Sequence, residues 1–285
     1  MLLLGVCSKR FKKGCMLAMN ELYVGVAQAA AVSNDVAANM ETAVHLLDIA
    51  NKEGANLVVF PELFLCGYDL EAISADPKRA AVELESATIQ MLRERCAALG
   101  VAVIIGACMQ GKGGLTNSAI VIDNAGRILD VYDKLHLYGD EKKAFVLGNH
   151  MSIVQLFGFR VGVGICYDAG FPEFARSLTV GGAELIAYPS AWIEGEAKYR
   201  YYMYYATRAV ENTVYVVVPN LIGEVGSSRF FGESVIYEPN GVPLGMARDD
   251  QTVLVRAIAR ERITEVRRGL PYLADLRNEV YWKGK

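Results

Sequence analysis

The chain has 285 residues, 53% of them apolar and 21% charged, which excludes a disordered protein and leaves ample material for a core. Its net charge of −3 gives no basic footprint for nucleic acid, and no apolar run reaches the length that spans a bilayer. Six cysteines without a C-x-x-C pair, beside three histidines, argue against zinc and disulfide frameworks and point to a reducing cytoplasm.

The first residues, MLLLGVCSKRFKKGC, carry a short apolar run followed by a basic cluster, the reverse of a signal peptide's order. Residues 1–20 are therefore expected to be an extension outside the core fold, with no targeting role. A strand is expected over 23–30, then an amphipathic helix over 39–54 that ends on a capping glycine, Gly54. NLVVF (56–60) is a continuous apolar strand, and 86–100 is a second amphipathic helix with a terminal glycine. Strands follow over 101–109, 118–123 and 128–135, the last two joined by a turn at NAGR (124–127).

The second half repeats the style. Residues 153–166 read as two strands around a Gly turn, and 171–182 as a helix. Strands over 184–192 and 213–220 flank a helix at 199–212, and strands over 233–241 and 252–259 close the series. No linker or compositional break interrupts this run, so 21–285 reads as a single domain. Strand–helix alternation with interspersed hairpins predicts an α/β fold with mixed sheets and helices on their outer faces.

Three reactive residues follow strand-like runs: Glu62 after NLVVFP, Lys134 at the end of ILDVYDK and Cys166 at the end of VGVGIC. In α/β architectures strand ends gather on one rim, where sites are built. A thiolate there would attack, and Lys134 would lower the thiol pKa and face the developing oxyanion. Glu62 would carry the proton to the departing amine and later activate water. Backbone N–H groups just after Cys166, at a sharp strand-to-helix turn, would complete an oxyanion hole. An isolated cysteine is ordinarily inert core, the reading taken for Cys7, Cys15, Cys66, Cys96 and Cys108; the company of Glu62 and Lys134 sets Cys166 apart.

FPELFLCGY (60–68), DKLHLYGDE (133–141) and GICYDAGFPEFAR (164–176), in this order, together resemble the motifs of the nitrilase superfamily of carbon–nitrogen hydrolases. The resemblance runs from VGVAQ (24–28) to PYLADLRNEVY (271–281). It implies a Glu-Lys-Cys triad on Glu62, Lys134 and Cys166, with Glu141 as a second glutamate. It also implies a four-layer α-β-β-α sandwich, commonly paired into a homodimer, with no metal or organic cofactor. The implied activity is hydrolysis of a small carboxamide to the carboxylic acid and ammonia through a cysteine thioester. A nitrilase or an N-carbamoyl amine or amino-acid hydrolase with the same triad is the alternative. Cys166-Tyr167-Asp168 stands where nitrile-cleaving members usually carry Cys-Trp-Glu, which favours the amidase branch.

Tyr167, Tyr138 and Trp192 are expected to line the oxyanion and substrate pocket. His136, two residues beyond Lys134, would share its strand face and is expected to support the site rather than act as base. Glu173 and Arg176, three apart on a predicted helix, are expected to pair, and Arg208, Glu211 and Asn212 to be structural. The YRYYMYY run (199–205) reads as a dimer interface or pocket wall. No G-x-G-x-x-G follows a strand, which removes a nucleotide-binding oxidoreductase.

Overall fold

The computed structural model describes residues 20–111, 113–195, 198–277 and 279–281. The expected extension over 1–20 lies outside them, apart from Asn20. The first half runs β1 (Glu21–Gln28), α1 (Val36–Lys52), β2 (Leu57–Val59), α2 (Leu70–Ala75), α3 (Pro77–Ala80), β3 (Ala81–Val82), α4 (Ala87–Leu99), β4 (Ala102–Gly111), β5 (Gly114–Ile122) and β6 (Ile128–Asp133), then a single turn, α5 (Glu141–Ala144). The second runs β7 (Ser152–Leu156), β8 (Phe159–Val163), a 3₁₀ turn (Cys166–Gly170), α6 (Pro172–Val180), β9 (Leu185–Ala187), α7 (Lys198–Asn212), β10 (Tyr215–Val218), a hairpin of β11 (Ile222–Val225) and β12 (Ser228–Phe231), then β13 (Val235–Tyr237), β14 (Pro243–Met246), β15 (Thr252–Ala259) and α8 (Arg260–Gly269).

Two sheets carry the fold. One is ordered β15-β1-β2-β4-β5-β6, with β3 beside β4; the other is ordered β14-β13-β10-β9-β8-β7. Each has three parallel strands at its centre, β1-β2-β4 and β8-β9-β10. Each is flanked by one antiparallel strand on one side and an antiparallel pair on the other.

The sandwich follows from which faces are apolar. Along β2 and β4 the alternate residues Val58, Val103 and Ile105 point outward, against Met40, Leu47 and Leu92 of α1 and α4. Leu57, Val59 and Ile104 point the other way and share one buried cluster with Val163, Leu185 and Val216 of the second sheet. Phe174, Leu178, Tyr201 and Tyr205 of α6 and α7 complete that cluster. With both faces covered, the central strands have no reason to alternate, and LVV of β2 and YVVV of β10 are buried throughout. The result is the four-layer α-β-β-α sandwich with mixed sheets.

Local signals fixed the outer helices. Asp35 caps α1 by accepting from Ala38 N, and Ser86 caps α4 by accepting from Ile89 N. Gly100 closes α4 in the left-handed region, φ 71°. Two expected strands are shorter than their apolar runs. The run over 128–135 leaves the sheet after Asp133, and that over 184–192 leaves it after Ala187. Beyond those points the chain turns over the sheet edge, and these departures build the site.

Candidate active site

Glu62 is placed by a tight crossing. Pro61 ends β2, and the chain passes over β4 at Gly106, where an added Cβ would lie 2.2 Å from Pro61 O. Leu63 takes a left-handed φ of 48°, and Glu62 N donates across to Ser190 O of the other half at 3.3 Å. Lys134 follows the last residue of β6 and is fixed by its N–H to Asn117 O, 2.9 Å. Glu141 opens α5.

These three side chains meet. Lys134 Nζ lies 2.6 Å from Glu62 Oε1 and 2.8 and 2.9 Å from the two carboxylate oxygens of Glu141. Asn117 Nδ2 donates to Glu62 Oε1 at 2.8 Å and to Glu141 Oε1 at 3.4 Å. Tyr68 OH and Tyr138 N each donate to Glu141 at 2.7 Å. All of Glu62, Lys134 and Glu141 are buried, so each charge depends on the others, since an unpaired buried ion costs several kcal/mol. Glu62 Oε2 has no hydrogen-bond partner among the described residues, and within this cluster neither has Asn117 Oδ1.

Cys166 is half-buried and opens the 3₁₀ turn in a left-handed conformation, φ 42°, which costs a non-glycine residue roughly 1–2 kcal/mol. Its N–H is bound to Pro189 O at 2.9 Å. The Ala191 backbone N–H is directed at its sulfur. Tyr167 N–H, the next along the turn, donates to no acceptor among the described residues. Buried Asp168 holds the turn in place: it accepts from Ile165 N at 2.8 Å, Tyr132 OH at 2.7 Å, and His136 N at 3.0 Å. These bonds hold the strained backbone at the sulfur.

The electrostatics depart from the sequence expectation in one respect. Burial, and then the nearby Glu62 charge, push the Cys166 thiol well above its usual range; Lys134 lowers it but does not win. The ammonium is already shared between two carboxylates, so the resting sulfur is a thiol that needs a base. Burial pushes Glu62 up to about 7, with Lys134 opposing and Glu141 adding to the rise. For Lys134 burial works against the charge, but Glu62 and Glu141 overcome it and hold the ammonium protonated.

Cys166 and Lys134 open onto one cavity with a water-accessible volume of about 140 Å³. Tyr138, Tyr167 and Trp192 stand on its wall, together with Tyr68, Tyr204 and Arg200. Tyr138 and Tyr167 pack with ring centroids 5.1 Å apart, and Trp192 Nε1 donates to Tyr205 OH at 2.9 Å. His136 does not share the face of Lys134, because the strand has ended. It stacks on Phe171 at 3.7 Å, bonds Asp168 Oδ1 through Nδ1 at 2.8 Å, and borders a separate hollow. Glu173 and Arg176 do not pair; Arg176 donates to Glu211 O at 2.6 Å, bringing α6 to α7. Arg208 joins Ala169 O at 2.7 Å and Glu211 Oε1 at 2.7 Å, a structural tie as expected. Among the described residues no cluster of His, Cys, Asp or Glu could hold a metal ion.

Sequence reasoning missed Asn117, Tyr68 and Asp168. Asn117 was visible as a polar residue inside the apolar run LTNSAIVID. Tyr68 and Asp168 lay within the quoted motifs without a partner to suggest a role.

The four-layer sandwich and the matches that follow place the chain in the nitrilase superfamily, in its amidase-like branch. The carbon-nitrogen hydrolase family model matches residues 23–268, and the chain belongs to that family. It is a hydrolase acting on non-peptide carbon–nitrogen bonds. It is 36% identical to a nitrilase of Pyrococcus abyssi, over 75% of this chain and 80% of the relative. It is 30% identical to the deaminated glutathione amidase of Escherichia coli O157:H7, over 84% and 91%. An amidase from Nesterenkonia sp. AN1, solved as a double mutant with acrylamide, superposes with a TM-score of 0.82 at 28% identity, covering 94% of this chain and 98% of that one.

Proposed function

We propose that the protein is an amidase that hydrolyses a small carboxamide to the carboxylic acid and ammonia through a thioester on Cys166. The observation that carries the reading is Lys134, which lines the cavity that Cys166 faces and lies 2.6 Å from Glu62 Oε1, with Glu62 Oε2 left unpartnered. Glu62 takes the thiol proton, and the sulfur attacks the carbonyl carbon. The oxyanion is met by Tyr167 N–H and the Lys134 ammonium. On collapse the C–N bond breaks, Glu62 returns the proton to nitrogen, and ammonia leaves. Glu62 then removes a proton from water, which attacks the thioester; the acid departs and the thiol is restored. Glu141 keeps Lys134 in place, and no cofactor takes part.

Nitriles and N-carbamoyl compounds could use the same triad. Tyr167-Asp168 after the nucleophile favours amides, and the site is built to receive charge on oxygen. A matched amide and nitrile with one acyl skeleton test this. The amide is expected to have the higher kcat/KM, with ammonia and free acid as products; an equal or higher value for the nitrile would remove the amidase reading.

We further infer a single hydrolase domain over 21–285 working as a homodimer, because Tyr199 and Met203 of α7 and Tyr272, Val280 and Tyr281 near the C-terminus stand exposed. Light scattering that gave the 31.1 kDa monomer at every concentration would contradict it. A reducing, cytoplasmic setting suits the four free thiols among the described residues, Cys66, Cys96, Cys108 and Cys166.

A further inference from the structure

The cavity wall holds a cation that the mechanism above does not use. Arg200 lies in the first turn of α7 and lines the same cavity as Cys166 and Lys134. Its Nε is buried without a hydrogen-bond partner among the described residues. None of their carboxylates forms an ion pair with it, whereas its neighbour Lys198 pairs with Glu233 and Arg208 on the same helix pairs with Glu211 at 2.7 Å. The first turn of α7 also carries no acidic side chain. A bound anion would supply the acceptor that this Nε–H lacks.

We infer that Arg200 binds a carboxylate carried by the substrate, so that the preferred substrates are amides bearing a second, anionic end. The inference rests on the amidase reading of the cavity and names its substrate class. A guanidinium is the side chain suited to this task, since its planar fork donates to both oxygens of a carboxylate. The aromatic walls at Tyr138, Tyr167, Trp192 and Tyr204 cover the short apolar chain between the two ends. The same walls could in principle hold an organic cation by its attraction to ring faces, but Arg200 repels one. Lys134 does not compete for the carboxylate, because Glu62 and Glu141 already occupy it at 2.6 and 2.8 Å.

The test compares succinamate with butanamide, which has the same chain length and no charge, in the wild type, Arg200→Met and Arg200→Lys. N-carbamoyl-β-alanine is a third substrate, with its carboxylate on the amine side of the scissile bond. Wild-type kcat/KM is expected to favour one of the two carboxylate substrates over butanamide by at least about tenfold. Which of the two is favoured tells the side on which the carboxylate is carried. In Arg200→Met that ratio collapses toward one, chiefly through KM, while Arg200→Lys retains part of it. Thermal melts check that each variant is folded. Calorimetric binding of the same compounds to Cys166→Ala, with and without Arg200→Met, reads recognition without turnover. Absence of a carboxylate preference in the wild type, or a preference that survives Arg200→Met, overturns the inference even if butanamide is hydrolysed. Carboxylate binding that depends on Arg200, with no amide hydrolysed, supports it and removes the amidase reading instead.

Discussion

Where β2 leaves the first sheet, Phe60 N donates to Ile104 O at 2.8 Å; where β9 leaves the second, Tyr188 N donates to Val217 O at 2.8 Å. Both chains then run into a proline, Pro61 and Pro189, and the next residue is Glu62 in one half and Ser190 in the other. The match extends further. Val26 pairs with Val59 on β2 as Val163 pairs with Ala187 on β9, so Ala29 stands where Cys166 stands. Lys134, just past β6, returns its N–H to Asn117 O, and Ala247, just past β14, does the same to Ser234 O. The backbone thus offers two sets of strand ends, and only one carries a carboxylate, an ammonium and a thiol. The other is closed by Ala29, Ser190 and Ala247, all buried. The lesson is that topology supplies positions, and side chains decide which become a site. Burying a second set of charges would require a second mutually paired cluster, whereas small residues close the gap without one.

A matched pair of substitutions breaks this comparison most sharply. Glu62→Gln keeps the shape and removes the proposed base, and is expected to lower kcat/KM by about a thousandfold. Ser190→Ala removes a hydroxyl that donates to Tyr188 O at 2.8 Å and meets Tyr205 OH at 2.7 Å. Its expected cost is about 1 kcal/mol of stability and little activity. Steady-state kinetics and urea unfolding read both; comparable losses of kcat/KM would show that the two strand ends are not functionally distinct.

A smaller effect sharpens the same contrast. Burial raises the Glu62 pKa to about 7, and the base must be ionised to accept the thiol proton. The wild-type kcat/KM is therefore expected to rise with pH through about 7 and to fall on acidification. The neutral counterpart set has no group to shape this limb. A flat profile between pH 5 and 8 would remove Glu62 from the role of base.

Much of this was legible in the sequence because chemistry and secondary structure coincide. NLVVFPE, ILDVYDK and VGVGIC each announce a strand and its reactive end, and the outer helices display their apolar stripes and caps. The short elements α2, α3, α5 and the β11–β12 hairpin were not legible, since runs of four to six residues carry no periodicity. The thiol's raised pKa was not legible either. Sequence shows that a lysine is near, but only the structure shows that Glu62 and Glu141 already share its charge. The companionship of His136 with Asp168 was hidden for a related reason: the strand that would have set its direction ends at Asp133.

The central claim is that carbon–nitrogen cleavage passes through the sulfur of Cys166 and through no other thiol. Rapid acid quench during turnover of a small amide, followed by intact and peptide mass spectrometry, tests it most directly. The account predicts an acyl adduct, of the mass of the acid minus water, on the peptide that contains Cys166, and its loss together with activity in Cys166→Ala. An active enzyme whose adduct lies on Cys66, Cys96 or Cys108, or a folded Cys166→Ala variant that still releases ammonia, would contradict it.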